Sequence, residues 1–226
     1  MNKPEKNIYY LYIIFSFLFI AVTTNYLSLN DIIFIANQTD SLSYTLISKN
    51  APLLSGEDSF ILNNSTTLIQ QHVAQRFVIP YIIGSIAHFL NVDFFLIFKL
   101  FSLIFIFFYI FLINILIKKL NFNLKVSILF FSILFLNPYI IRYHIFQPVH
   151  AHDMLFFCFG LLFFLTMINK NYFSNLLISI IAIYLRQTSI ALLISSSIFL
   201  LINKKIKLFL LLLLLSSLSL FLIIKT

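Results

Sequence analysis

From Phe77 to Ile224 the chain is one apolar run after another, broken only by short gaps that hold most of its charge. Hydrophobic residues make up 61% of the sequence and charged residues 10%, with a mean hydropathy of +1.03. Soluble domains are roughly half apolar and a quarter charged. A water-soluble fold has too little interior to hide this much Leu, Ile and Phe, so the expected solvent is a bilayer.

A bilayer core of ~30 Å needs about 20 apolar residues in helical form. The runs Ile8–Thr24, Phe94–Ile117, Val126–Ile141, Met154–Ile168, Tyr172–Leu185, Thr188–Ile202 and Ile206–Ile224 approach that length. They predict an all-α, polytopic transmembrane bundle of about seven spans. Phe77–Leu90 is shorter and is expected to be a re-entrant or interfacial helix. Residues 1–226 then form a single integral membrane domain, with one long polar loop at 25–75. The first run lacks a small-x-small exit and ends in Thr23, Thr24, Asn25 and Tyr26, so it reads as an uncleaved signal anchor. Cys158 is the only cysteine, which rules out an internal disulfide and leaves a small hydrophobe in mid-run.

The charges are sorted by type. Lys3, Lys6, Lys118, Lys119, Lys125, Lys170, Lys204, Lys205 and Lys207 fall in alternate gaps. Arg76, Arg142 and Arg186, the five histidines and nearly all the acids fall in the others. Positive-inside bias puts the lysine gaps and the N-terminus in the cytoplasm. Localisation in a bacterial inner membrane, multi-pass, is the expectation. The net charge of +8 does not indicate nucleic acid, because the lysines flank spans in pairs and form no stripe. Membrane lipids are their expected partners.

Three arginines against the orientation bias need another reason, and arginine clamps phosphate bidentately. Arg186 sits between two apolar runs, where a charge is expensive unless solvated or paired. It reads either as a site residue or as a structural ion pair with Asp153. Arg76 either binds substrate or snorkels to headgroups from a helix end. Asp40, near the expected outer surface, is the candidate general base, with Asp31 and Glu57-Asp58 as competitors and a solvated loop acid as the bland alternative. His144, His150, His152 and Asp153 could ligate a divalent metal. Their spacing matches no named zinc signature, so interfacial hydrogen bonding is the preferred reading and no metal or cofactor is assigned. Asp153 also suits the capped, dipole-favoured start of a helix.

Ordered fragments of the chain resemble the polytopic glycosyltransferases of the GT-C type. These are an acid with a tyrosine four residues later (Asp40, Tyr44) and Arg-x-x-x-Pro before a short apolar helix (Arg76, Pro80). An acid opens a later run (Asp153), and Arg-Gln-Thr lies between two others (Arg186, Gln187, Thr188). The resemblance implies transfer of a sugar from a polyprenyl-phosphate donor on the outer membrane face. Asp40 would be the base, and Tyr44, Arg76, Arg142, Asp153, Arg186 and Gln187 would hold the polyprenyl-phosphate-linked sugar. The chain departs from that pattern in its short length and in having no second acid beside Asp40. The alternative is a non-enzymatic lipid-phosphate binder, a flippase or an assembly subunit of an envelope pathway.

Overall fold

A computed structural model describes residues 40–52, 76–136, 141 and 143–225. The side chains of Asp40 and Gln187 fall outside that description, as does the whole of Arg142. Among the described residues the fold is all-helical, with no strand. The helices are α1 (Asp40–Asn50), α2 (Val78–Leu90), α3 (Phe94–Lys119), α4 (Leu124–Leu136) and α5 (Tyr143–Phe146). After a 3-10 turn at Pro148–His150 come α6 (Ala151–Ile168) and α7 (Tyr172–Ile183). A second 3-10 turn, Gln187–Ser189, leads to α8 (Ile190–Ile202) and α9 (Ile206–Lys225).

Helix ends follow from the gap residues. Asp93 caps α3, its carboxylate accepting the Phe95 N–H at 2.8 Å. Asn171 caps α7 in the same way, accepting from the Ser174 N–H at 3.2 Å. Pro80 lies in the first turn of α2, where a missing N–H is harmless. Helix exits normally use glycine in the left-handed region, but the chain has only three glycines. Asn91, Asn121, Lys170 and Lys204 take that conformation instead, with φ of 55°, 51°, 53° and 55°. The lysines accept about 1–2 kcal/mol of strain each and stop α6 and α8 sharply.

Among the described residues two helices are long and apolar enough to cross a membrane: Phe94–Lys119, with 26 residues, and Pro148–Ile168, with 21. Val78–Leu90, Tyr172–Ile183, Ile190–Ile202 and Ile206–Ser219 are shorter apolar helices. The expected first span, Ile8–Thr24, lies outside the described residues.

The core is built on α3 and α6, which run parallel. Ile106, Ile110, Ile113 and Ile117, one face of α3, cluster with Met154, Cys158 and Leu165 of α6. The Cys158 thiol donates to the Phe105 carbonyl at 3.4 Å. The other face of α3 is also apolar: Leu96, Leu100, Ile104, Phe107 and Phe111 are 41–50% exposed. A polar seam joins α6, α7 and α8. Ser196 donates to Asn175 Oδ1 at 2.7 Å, and Asn175 Nδ2 donates to the Thr166 hydroxyl at 3.1 Å.

The ends of the bundle differ. Tyr172, just after Lys170, donates to Asn203 Oδ1 at 3.2 Å, and the Lys205 ammonium lies 5.0 Å from the Tyr172 ring. The lysine turns after α6 and α8 therefore share one end. The opposite end carries the start of α6 and the exit of α7, and there Arg76, Arg186, His144, His150 and His152 gather.

One expectation changes in kind. The segment 25–75 was read as a loop, yet its Asp40–Asn50 portion is a helix packed into the fold, with Tyr44, Leu46, Ile47 and Ser48 buried. Its polar residues hide because each has a partner. Thr45 donates to the Leu42 carbonyl at 2.7 Å, and Ser48 to the Pro80 carbonyl at 2.7 Å.

Candidate functional site

The site begins where α1 crosses α2. Gly84 makes this crossing possible, because a Cβ there would run into the Ser48 carbonyl and Cα. With the helices this close, Tyr44 reaches the start of α2, and Arg76 Nη1 donates to the Tyr44 hydroxyl at 3.1 Å. Tyr44 is fully buried. Its ring stacks obliquely on His152, with centroids 4.3 Å apart, and meets His150 edge-on at 5.5 Å.

His150 ends the 3-10 turn, and His152 and Asp153 lie in the first turn of α6. All three are buried, at 8%, 0% and 8% exposure. The Ser41 hydroxyl is 3.0 Å from His150 Nε2. Asp153 faces the exit of α7, where Arg186 Nη1 is 3.3 Å from Asp153 Oδ1. The positive end of the α6 dipole also favours a carboxylate at this point. Arg186 remains about one-third exposed, at 32%, and its guanidinium carbon lies 6.0 Å from the Phe156 ring centroid.

His144, on α5, borders the cluster. It is 1% exposed, and the Ser102 hydroxyl fixes its backbone by donating to the His144 carbonyl at 2.7 Å. Burial pushes its pKa down to about 4, with the neighbouring Asp153 carboxylate opposing the shift. His144 is therefore neutral at neutral pH.

Six of the residues singled out from sequence thus fall into one chain of contacts: Arg76 to Tyr44, Tyr44 to His150 and His152, these to Asp153, and Asp153 to Arg186. The Asp153–Arg186 ion pair raised as an alternative is present. No side chain caps the start of α6, so Asp153 acts through Arg186 and the histidines and not as an N-cap. Asp40 stands one position before Ser41 in the first turn of α1, and Gln187 follows Arg186 in a 3-10 turn. Arg142, Asp31, Glu57 and Asp58 lie outside the described residues. His88, exposed at the end of α2, is not part of the cluster.

What the sequence reading missed was depth. His150 and His152 were expected at an interface, yet α1 covers them. The His-x-His-Asp spacing was visible; the covering helix was not, because most of its residues are polar.

Compared with known proteins, the chain matches no family model, no curated relative and no solved structure.

Proposed function

We propose that this chain is a multi-pass membrane protein that transfers a sugar from a polyprenyl-phosphate donor at the outer membrane face. In this reading the lysine end of the bundle lies in the cytoplasm. The seven apolar runs cross the bilayer, with the shorter helices accommodated by local thinning of the lipid, and α2 stays on the outer side. Both ends of α2 meet the arginine end of the bundle: Arg76 at Tyr44, and Ile83 and Ala87 in one buried cluster with Phe95 and Phe98 of early α3. The exposed apolar face of α3 suits lipid contact.

The observation that carries the proposal is the convergence of two guanidinium groups, Arg76 and Arg186, on one buried polar cluster at the end away from the lysines. Fixed cations facing a developing phosphate charge in a water-poor pocket stabilise a transition state by several kcal/mol. Arg186, with Arg76 or Arg142, would hold the departing phosphate. Asp40, adjacent to Ser41 of the cluster, would take the acceptor proton. The donor would come from the membrane, and membrane lipids would surround the site.

The test is a turnover assay with purified protein and a polyprenyl-phosphate sugar. Transfer is expected, with loss in both Asp40→Ala and Arg186→Ala variants. Full activity in both variants would remove these roles.

One observation favours a second reading, lipid-phosphate binding without chemistry. Asp153, the carboxylate of the cluster among the described residues, is already neutralised by Arg186 and is poorly placed to abstract a proton. Polyprenyl-phosphate binding that survives Asp40→Ala, with no transfer product, would support this reading over the first.

A further inference from the structure

We infer that His150, His152 and Asp153 form a binding site for one divalent first-row transition ion of the zinc type. This assignment revises the preference for interfacial hydrogen bonding drawn from spacing alone, and it does not depend on sugar transfer. It rests on three independent features of the cluster.

The first is distance. The ligand atoms of the three residues all lie within 4.8 Å of one another. His150 Nδ1 is 3.5 Å from Asp153 Oδ2, and His152 Nε2 is 3.6 Å from Asp153 Oδ1. Hydrogen bonds of this type are about 2.7–3.2 Å, so both contacts are too long. Ligands held ~2.0–2.1 Å from a tetrahedral ion are roughly 3.4 Å apart, close to the two histidine–carboxylate spacings, while the wider separations within the set, bounded by 4.8 Å, would narrow as an ion binds. Each imidazole thus faces the carboxylate at a ligand–ligand spacing and not at a hydrogen-bond length.

The second is unmet valence. His152 is fully buried, and neither of its ring nitrogens has a hydrogen-bond partner. His150 Nδ1 is buried without one as well, whereas Asp153 Oδ1 already has the Arg186 guanidinium at 3.3 Å. Buried polar atoms are partnered in about nine cases of ten. Three orphan ring nitrogens on two neighbouring histidines point to one shared occupant beside Asp153. A divalent cation accepts both imidazole lone pairs and the carboxylate together.

The third is orientation from outside the ligand set. Ser41 contacts His150 through Nε2. With that nitrogen protonated and donating to the hydroxyl, the Nδ1 lone pair faces Asp153. Such outer partners set the tautomer of metal-binding histidines. Ser41 belongs to α1, so the covering helix also positions a ligand.

Three protein ligands leave a tetrahedral ion one open position. Arg186 beside Asp153 adds positive charge to that of the ion, so water or an anionic oxygen such as that of a phosphate fits the opening better than a neutral group.

The test uses the purified full-length chain without a polyhistidine tag, stripped with chelator and titrated with Co(II), then with Zn(II) in competition. One equivalent of Co(II) is expected to give the intense visible absorption of a tetrahedral nitrogen–oxygen site, and zinc to displace it. His152→Ala and Asp153→Asn are expected to lose at least 100-fold in affinity. Ser41→Ala, which removes no ligand, is expected to lose about 10-fold. Should the ligand variants fail to fold, the Ser41→Ala titration and the zinc-dependent rise in wild-type melting temperature still decide. No one-equivalent Co(II) signal from the wild type would overturn the proposal. So would unchanged affinity in Ser41→Ala, or binding that persists in a folded His152→Ala variant. None of these readouts involves sugar transfer, so the site and the activity can fail separately.

Discussion

Arg186 Nη1 lies 3.3 Å from Asp153 Oδ1, joining the exit of α7 to the first turn of α6. Asp153 is nearly buried in this pair, while Arg186 keeps about a third of its surface. The guanidinium therefore neutralises a carboxylate that could not stay charged alone, yet retains a face for an anion. Removing the carboxylate frees an exposed cation; removing the cation strands a buried anion.

That asymmetry predicts unequal effects on stability. Arg186→Met is expected to destabilise the protein by about 3 kcal/mol, the range for breaking a buried pair from one side. Asp153→Asn is expected to have a smaller effect, because the remaining cation reaches solvent. The double variant should lose less than the sum, with a coupling of about 1–2 kcal/mol. Cys158 is the sole cysteine and is fully buried, so a thiol-reactive dye reports unfolding directly. Equal losses in the two single variants would contradict this account.

Gly84→Ala is expected to separate α1 from α2. The added methyl would meet backbone atoms of Ser48, which cannot rotate away. Overpacking at such a site costs about 1–3 kcal/mol. The Ser48–Pro80 and Arg76–Tyr44 hydrogen bonds should weaken with it. Faster proteolysis within residues 40–52, with the bundle intact, would be the signature. Unchanged cleavage would show that the crossing tolerates a side chain.

His144 predicts a pH dependence. Its pKa is 6.5 in the unfolded chain and about 4 in the fold, lowered by burial. Between these values the unfolded state holds more protons. Stability is therefore full above about pH 6.5 and falls as pH drops toward 4, by up to about 1.4 kcal/mol per pH unit. Melting temperature measured across that window should fall less steeply in His144→Phe. Parallel curves for the two proteins would assign the acid sensitivity elsewhere.

The proposed orientation predicts a labelling pattern. Single cysteines at Lys170 and Lys204 are expected to react from the cytoplasmic side of sealed cells only. Cysteines at Asn91 and Thr188 should react with an impermeant reagent added outside. Buried Cys158 gives little background. Labelling of Lys170 and Thr188 from the same side would end the orientation.

The helices were legible in the sequence wherever a polar gap stopped an apolar run, as at Asn91–Asp93 and Asn169–Asn171. The grouping of Arg76, Asp153 and Arg186 was legible because charge type alternates from gap to gap. Span length was not fully legible: α7 ends at Ile183, short of the expected Leu185, and a 3-10 turn at Gln187–Ser189 delays α8 to Ile190. Nor was α1, whose Ser41, Thr45 and Ser48 look solvated until their individual partners are known. Apolar periodicity is a signal carried by neighbours along the chain, whereas polar burial depends on partners far apart in it.

Gly84 is not part of the cluster of His144, His150 and His152, yet it governs how wet those histidines are. The absent side chain lets α1 sit close enough to seal Tyr44 over His152. Variation at that position would tune the dielectric around the imidazoles without altering one of them. A helix crossing would thus set the polarity around a buried cluster while every residue of that cluster stays the same.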